Sequence, residues 1–395
     1  VTPTDPRRSA RSGLLDPVSR RPLAPDTPHS LSDLADGARR WPVLDGIPYL
    51  RTGREEVVER ALAALDDGRV ADAAAVLLAD NDDWWDQPPP PADELAAAYA
   101  AAADPGTTLR DAAAALGLGR VGDYFLHRDH DPSGLAVTAL VATHPPAGRP
   151  VVDLACGAGH LLRRLVAEPG ECAGVTGIDI VFAKLWLARR FVLPTDAAVR
   201  LVCADLRSSW PVTDDGDAWV SCHDTLYFLD DPADVLRRAA DLAGPRGAVL
   251  AAHCHNADHP LGAAGHPRRP EEWAAMLPGA ATYAEEELTA AALAARPAGP
   301  AVGKDLDGTE AVALALDRAA APPQESLLRP APGARLHPNP LYRDGAREWP
   351  NARWGAEYGE RAAAYLPERL PELDHDLDHD EAVRRRVLVD LPGRW

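Results

Sequence analysis

Between residues 151 and 256, five apolar segments each run out into residues that can do chemistry. Val151-Val152-Asp153-Leu154 leads into Ala155-Cys156-Gly157-Ala158-Gly159, and the segment from Gly174 ends on Asp179. The next three end on Asp205-Leu206, on His223-Asp224, and on His253, His255 and Asn256. Small residues at a turn let the backbone approach a bound group closely. Carboxylates at neighbouring strand ends accept hydroxyl or ammonium protons, and a histidine beside them can move a proton near neutral pH. The set suits a nucleotide-like ligand held beside a site of proton transfer.

The elements that must position these residues alternate. Strands are predicted at 151–156, 174–180, 199–205, 217–224 and 248–255, with helices between them such as 232–243, and a closing strand at 311–318. That order predicts an α/β fold with a doubly wound, mostly parallel Rossmann-like sheet. In such a sheet a ligand lies beyond the carboxyl ends of the strands, near the point where strand order reverses. Alternation along the fifth strand puts His253 and His255 on one face and Cys254 on the other.

The glycine spacing separates two cofactor classes. With Gly157 and Gly159 as the first two glycines of G-x-G-x-x-G, Leu162 stands where the third belongs, which argues against a dinucleotide. The run D-L-A-C-G-A-G (153–159) instead resembles the D-x-(G/A)-x-G-x-G pattern of class I S-adenosylmethionine-dependent methyltransferases, over roughly residues 120 to 320. The resemblance implies that Ala155, Gly157 and Gly159 cradle the cofactor and that Asp153 acts near its methionine amino end. It gives Asp179 the ribose hydroxyls and places Asp205 and Leu206 near the adenine. Upstream, G-D-Y-F-L-H-R (122–128) can fold over the methionine end, with Tyr124, His127 and Arg128 as candidates. Arg128 is available there as a bidentate partner for the cofactor carboxylate.

Methyl transfer is an in-line displacement in which the protein supplies alignment. The acceptor belongs beyond the fourth and fifth strands, where His255, Asp224 and His223 are the catalytic candidates and Tyr227 and Asn256 the substrate-binding ones. His255 is the candidate general base. H-x-H on a strand can also bind a divalent ion, with His259 and His266 nearby and D-H-D-L-D-H-D at 374–380. The spacing fixes no coordination geometry, and no metal is assigned from it.

Residues 1–53 are rich in Pro, Arg and Asp and end in a hairpin signal, V-L-D-G-I-P, at 43–48. This resembles the last hairpin of the zinc-ribbon proteins that activate methyltransferases, although no cysteine precedes Cys156. A degenerate ribbon of this kind implies a scaffold or lid without metal. Residues 54–120 read as a helical cap interrupted by D-D-W-W-D-Q-P-P-P-P, 121–320 as the core, and 321–395 as a C-terminal extension. Trp349, Arg353, Trp354, Glu357, Tyr358 and Tyr365 form an aromatic patch in that extension, able to serve as a lid. N-P-L-Y at 339–342 follows the closing strand rather than the fourth, so it is not matched to the N-P-P-Y loop of amino-group methyltransferases.

Composition narrows the partners. The net charge is −19 and the lysines are Lys184 and Lys304 alone, so nucleic acid is not an expected partner. The five cysteines include no CxxC pair, which argues against a zinc or disulfide framework. No run of eighteen apolar residues suggests a membrane span, and the start lacks the apolar core of a secretory signal; a cytoplasmic protein is expected. The leading expectation is a methyltransferase for a small molecule, a secondary metabolite or sugar-like precursor. The alternatives are a protein-modifying methyltransferase, a nicotinamide-dependent oxidoreductase and a non-catalytic partner with a methyltransferase fold. Oligomeric state is not legible in the sequence.

Overall fold

The computed structural model describes residues 13–33, 39–82, 87–128, 131–167, 172–213, 216–260, 263–301, 306, 308–324, 328, 330, 333–371 and 379–395. The Trp84-Trp85 pair, Lys304 and most of the acidic run at 374–380 lie outside the described residues.

The N-terminal segment folds as an antiparallel sheet of β1 (Leu23–Thr27), β2 (Ser30–Asp33), β3 (Arg40–Leu44) and β4 (Ile47–Pro48), in that order. Asp45 and Gly46 make the β3–β4 turn with φ of 52° and 73°, the left-handed pair that a two-residue hairpin requires. The Asp45 carboxylate binds Arg190 at 2.7 and 3.0 Å and accepts a hydrogen bond from the Tyr99 hydroxyl at 3.1 Å, which fastens the hairpin to the core. Beyond β4 the chain runs alongside the main sheet, where the Leu50 amide donates to the Cys203 carbonyl at 2.7 Å.

Six helices follow: α1 (Glu55–Asp66), α2 (Val70–Leu78), α3 (Ala92–Ala101), α4 (Leu109–Ala115), α5 (Gly119–His127) and α6 (Pro132–Thr143). Their starts are chemically marked. Thr108 and Asp111 form a capping box on α4, and Asp131 caps α6 through the Gly134 amide with Pro132 in its first turn. Helix α6 is buried over almost its whole length, as a helix between a sheet and a further layer must be.

The main sheet comprises β5 (Pro150–Leu154), β6 (Gly174–Asp179), β7 (Val199–Cys203), β8 (Trp219–His223), β9 (Ala248–His255), β10 (Ala281–Ala284) and β11 (Ala311–Asp317). Its order is β10-β11-β9-β8-β5-β6-β7; β9 through β7 are parallel, and the pairs β10–β11 and β11–β9 are antiparallel. The strand order reverses between β5 and β8, which puts the glycine turn after β5 and His223-Asp224 after β8 on either side of one crevice. Helices α7 (His160–Ala167), α8 (Phe182–Leu187, continued by a π-turn over Ala188–Val192), α9 (Pro232–Ala243), α10 (Pro270–Met276) and α11 (Glu285–Leu293) complete the core. Trp186, Trp219, Trp273, Phe125 and Phe182 are fully buried, each burial stabilising the fold by about 1.5–3 kcal/mol.

The C-terminal extension forms β12 (Leu336–Pro338), β13 (Tyr342–Arg343), β14 (Ala346–Arg347), α12 (Ala352–Ala363), α13 (His379–Arg384) and β15 (Leu388–Asp390). Within N-P-L-Y, Asn339 is buried and bonds the Arg386 carbonyl and the Leu341 amide, a turn that holds the extension together. The five cysteines form no disulfide, and among the described residues no helix is long and apolar enough to cross a membrane.

Candidate active site

A cleft with about 620 Å³ of empty space, open solvent included, lies at the crevice; its walls include Tyr124, Arg128, Asp153, Ala155, Gly157 and His223. Ala155, Gly157 and Gly159 all take left-handed φ, at 56°, 56° and 78°, so the turn after β5 is tightly wound. A Cβ at Gly157 would meet no protein atom closer than 4.0 Å, whereas one at Gly159 would meet Ala188 Cβ at 3.1 Å. Gly159 is thus a packing glycine, and Gly157 keeps a wall of the cleft open.

Asp153 sits at the cleft floor, 3% exposed, and accepts a hydrogen bond from Ser221 Oγ at 2.6 Å. Burial, with the nearby charge of Asp179, raises its carboxyl to about 7 despite the Ser221 bond. Asp179 is tied into the turn itself: its two oxygens accept the Gly157 and Val181 amides, each at 2.9 Å, and Lys184 Nζ lies 3.9 Å away. Asp205 closes a local turn through the Arg207 amide and pairs with the Arg207 guanidinium at 2.9 Å, while the Leu206 carbonyl accepts from Trp210 and Arg238. Asp153, Ala155, Gly157, Tyr124 and Arg128 therefore line the cleft. Gly159, Asp179, Asp205 and Leu206 shape the turns behind it.

The other wall is a buried ionic network centred on Asp224. Its carboxylate accepts hydrogen bonds from Tyr124 at 2.6 Å and from Tyr227, and Arg128 pairs with it at 3.2 Å. Burial opposes ionisation, but the Arg128 charge and the facing His253 outweigh it and hold the carboxyl down at about 2. Arg128 also binds Asp131 at 3.4 Å and the Ser133 hydroxyl, so its guanidinium is engaged by the protein rather than left open to a ligand. His223 lines the cleft with both ring nitrogens buried and unpartnered, and burial lowers its pKa to about 3. A neutral imidazole with a donor and an acceptor to offer is a group waiting for a polar ligand. His255 is 6% exposed, its ring edge-on to Tyr227 at 4.5 Å; burial and the charge on His253 lower its pKa to about 3. Asn256 is a structural residue here: its amide nitrogen donates to the Thr309 carbonyl at 2.9 Å and its oxygen accepts the Asp258 amide at 3.0 Å.

His253 holds a more central place than the strand pattern suggests. Between β9 and β11 the register shifts around Ala252 and His253, and His253 takes φ of 55°. A bulge of this kind re-aims a side chain, and the His253 and His255 rings stand 4.4 Å apart. His253 Nδ1 bonds Glu285 Oε2 at 2.7 Å, and Glu285 in turn binds Arg361 at 2.9 Å. Burial disfavours the charged ring, yet Glu285 and Asp224 carry its pKa up to about 9. Arg361 also reaches Glu310 at 2.8 Å, whose carboxyl burial raises to about 7. Helix α12 thus lies against the site, with Trp354 edge-on to Tyr124 at 6.0 Å and to Tyr358 at 5.4 Å. Glu285, Glu310 and Arg361 carry no local sequence signal; the H-x-H spacing of His253 and the aromatic patch around Trp354 were the pointers to this wall.

Residues 151–247 match the family model described as a methyltransferase domain. The chain is 33% identical over 124 residues to the ubiquinone biosynthesis O-methyltransferase of Pseudomonas aeruginosa strain LESB58, covering 31% of this chain and 51% of that protein. A protein of the same description from Ralstonia nicotianae is 33% identical over 129 residues, covering 32% of this chain and 52% of its own length. The chain spans about half the length of these curated relatives. Among solved structures it is similar to a complex of the Haloferax volcanii Trm112 methyltransferase activator with a putative methyltransferase, at 19% identity, 40% of this chain, 72% of that chain and TM-score 0.35. It is also similar to a putative methyltransferase from Bacillus halodurans, at 18% identity, 47% of this chain, 99% of that chain and TM-score 0.34.

Proposed function

We propose that this chain, whose core is a class I S-adenosylmethionine-dependent methyltransferase domain, moves the cofactor's methyl group onto a small-molecule acceptor. The observation that carries the reading is the left-handed turn at Ala155–Gly157 over the buried Asp153, at the point where strand order reverses. S-adenosylmethionine supplies an electrophilic methyl on a sulfonium, and the chain's residues supply the rest. Asp153 would hold the methionine amino end, Gly157 would leave room for the ligand against the turn, and the unpartnered His223 would offer it a hydrogen bond. Asp179 acts by holding the turn's amides. Arg128 and Tyr124 act by fixing Asp224, so the wall opposite the turn is rigid before any ligand arrives.

The acceptor's chemistry follows from basicity. A general base works best with a pKa near the working pH, and His223, His255 and Asp224 all lie near 2–3. These side chains orient an acceptor better than they deprotonate one. That favours an acceptor whose nucleophile is already available, such as a phenolic or enolic oxygen or a neutral amine, over a sugar hydroxyl. The O-methyltransferase description of the matched relatives supports an oxygen acceptor. The N-terminal sheet serves as scaffold, and α12 as the cover of the acceptor side.

Calorimetric titration with S-adenosylhomocysteine tests the cofactor. Wild type should bind, and Gly157→Val should lose at least about 100-fold in affinity, because its branched side chain enters the cleft. The left-handed φ costs that variant only about 1–2 kcal/mol of stability, so it stays folded. Equal binding by both proteins, or none by wild type, would reject the assignment.

A further inference from the structure

Behind the cleft, ligand atoms of Asp224, His253 and His255 lie within 4.8 Å of one another. Since Glu285 occupies His253 Nδ1, the ring turns Nε2 toward the other two. That nitrogen is buried with no hydrogen-bond partner, on a side chain 1% exposed. It stands 3.7 Å from Asp224 Oδ1 and 4.0 Å from Glu357 Oε1. Both gaps are too long for a hydrogen bond. A water or ammonium bonded to both sides at about 2.8 Å would hold them about 4.6 Å apart at a tetrahedral angle. Ligands about 2.1 Å from a metal ion stand about 3.4 Å apart at that angle and about 4.2 Å apart in line. The 3.7 Å between His253 Nε2 and Asp224 Oδ1 falls within the range for two ligands of one ion.

We propose that Asp224, His253 and His255 bind a divalent first-row transition-metal ion. Two imidazoles and one carboxylate form a donor set for iron, manganese, cobalt or zinc rather than for the harder magnesium or calcium. The surroundings are those of a metal site. Glu285 accepts from His253 Nδ1, the outer carboxylate that fixes a ligating histidine's tautomer, and Arg361 fixes Glu285. Asp224 Oδ1 takes only the Tyr227 hydroxyl, which leaves it a lone pair to give. The ion would take the place of a proton on His253 Nε2, since a ligating imidazole is neutral. Glu310 and Glu357 make a second set around the same His253, so a single ion chooses between them; the two-histidine set has the softer donors. An ion here would supply Lewis-acid chemistry to an acceptor oxygen. That consequence rests on the methyl-transfer reading, whereas the binding of the ion does not.

The experiment is calorimetric titration of chelator-treated full-length protein with Co²⁺, with the visible absorption of bound Co²⁺ as a second readout. Wild type should take up one ion per chain and develop the absorption of a nitrogen-ligated ion. His255→Phe keeps the ring contact with Tyr227 and should lose both signals. Glu285→Gln should bind about 10–100-fold more weakly. S-adenosylhomocysteine titrated separately into His255→Phe should still bind, which distinguishes loss of the ion from loss of the cofactor site. No uptake by wild type, or equal uptake by His255→Phe, overturns the proposal.

Discussion

Asp224→Ala should cost about 3–5 kcal/mol of folding stability, read as a shift in the midpoint of chemical denaturation. The carboxylate is the common acceptor for Tyr124, Tyr227 and Arg128; Tyr227 and Arg128 are buried, and Asp224 itself is 11% exposed. Removing it strands two phenolic donors and leaves Arg128 with Asp131 as its one carboxylate partner. Breaking a buried pair by deleting one member is far more damaging than the pair's own net contribution, because the surviving charge keeps its desolvation cost. Asp224→Asn keeps the shape but presents an amide N–H to a donor, so it should fall between wild type and the alanine variant. A loss below about 1 kcal/mol in Asp224→Ala would show that the network is not closed as described.

Asp153→Asn should have the opposite sign. Burial raises this carboxyl from an ordinary 3.8 to about 7 in the folded chain. Between those values the unfolded chain gives up the proton while the folded chain keeps it, so stability falls as pH rises through that window and levels off above about 7. The penalty above pH 7 is on the order of 4 kcal/mol for the ~3 pH units involved. Asparagine carries no such penalty and can still accept from Ser221. The variant should therefore melt above wild type at pH 8, with the difference closing toward pH 4, and should bind S-adenosylhomocysteine more weakly. For wild type, affinity should rise up to about tenfold per pH unit on approaching pH 7, because the ligand's ammonium favours the ionised acid. A gap in melting temperature that does not change with pH would sink the account. Such an exchange of stability for a charged group in a dry site is common at functional positions.

Strand ends and the glycine turn were legible because their physics is local. A left-handed turn needs small residues, and period-two burial writes the strand into the chain. The helical stretch before the sheet was legible from its apolar spacing, while the caps Thr108 and Asp131 emerge from the structure. What the sequence hid was partnership. Arg128 reads as a free clamp, yet Asp131, the cap of the next helix, pairs with it, and Asp224 arrives from the end of a strand. Glu285 and Arg361 are 76 residues apart and meet only because α11 and α12 pack on the same wall. The bulge at His253 is equally silent, since it depends on the partner strand holding one residue fewer. The short strand β10 is too brief to stand out beside the helix it adjoins. Asn256 sits at the right strand end for an acceptor site, but its amide belongs to a turn.

The run alongside β7 has a consequence for how molecules of this chain behave in a crowd. A parallel sheet that stops at a bare outer strand offers a row of backbone donors and acceptors to any extended segment that drifts past. Here Leu50 takes the Cys203 carbonyl and Tyr49 bridges to Cys203, so the end of that row is occupied from within. The opposite border is a four-residue strand, too short to template much. A chain trimmed past Arg51 should uncover that end of β7 and self-associate more readily, a change that light scattering would read.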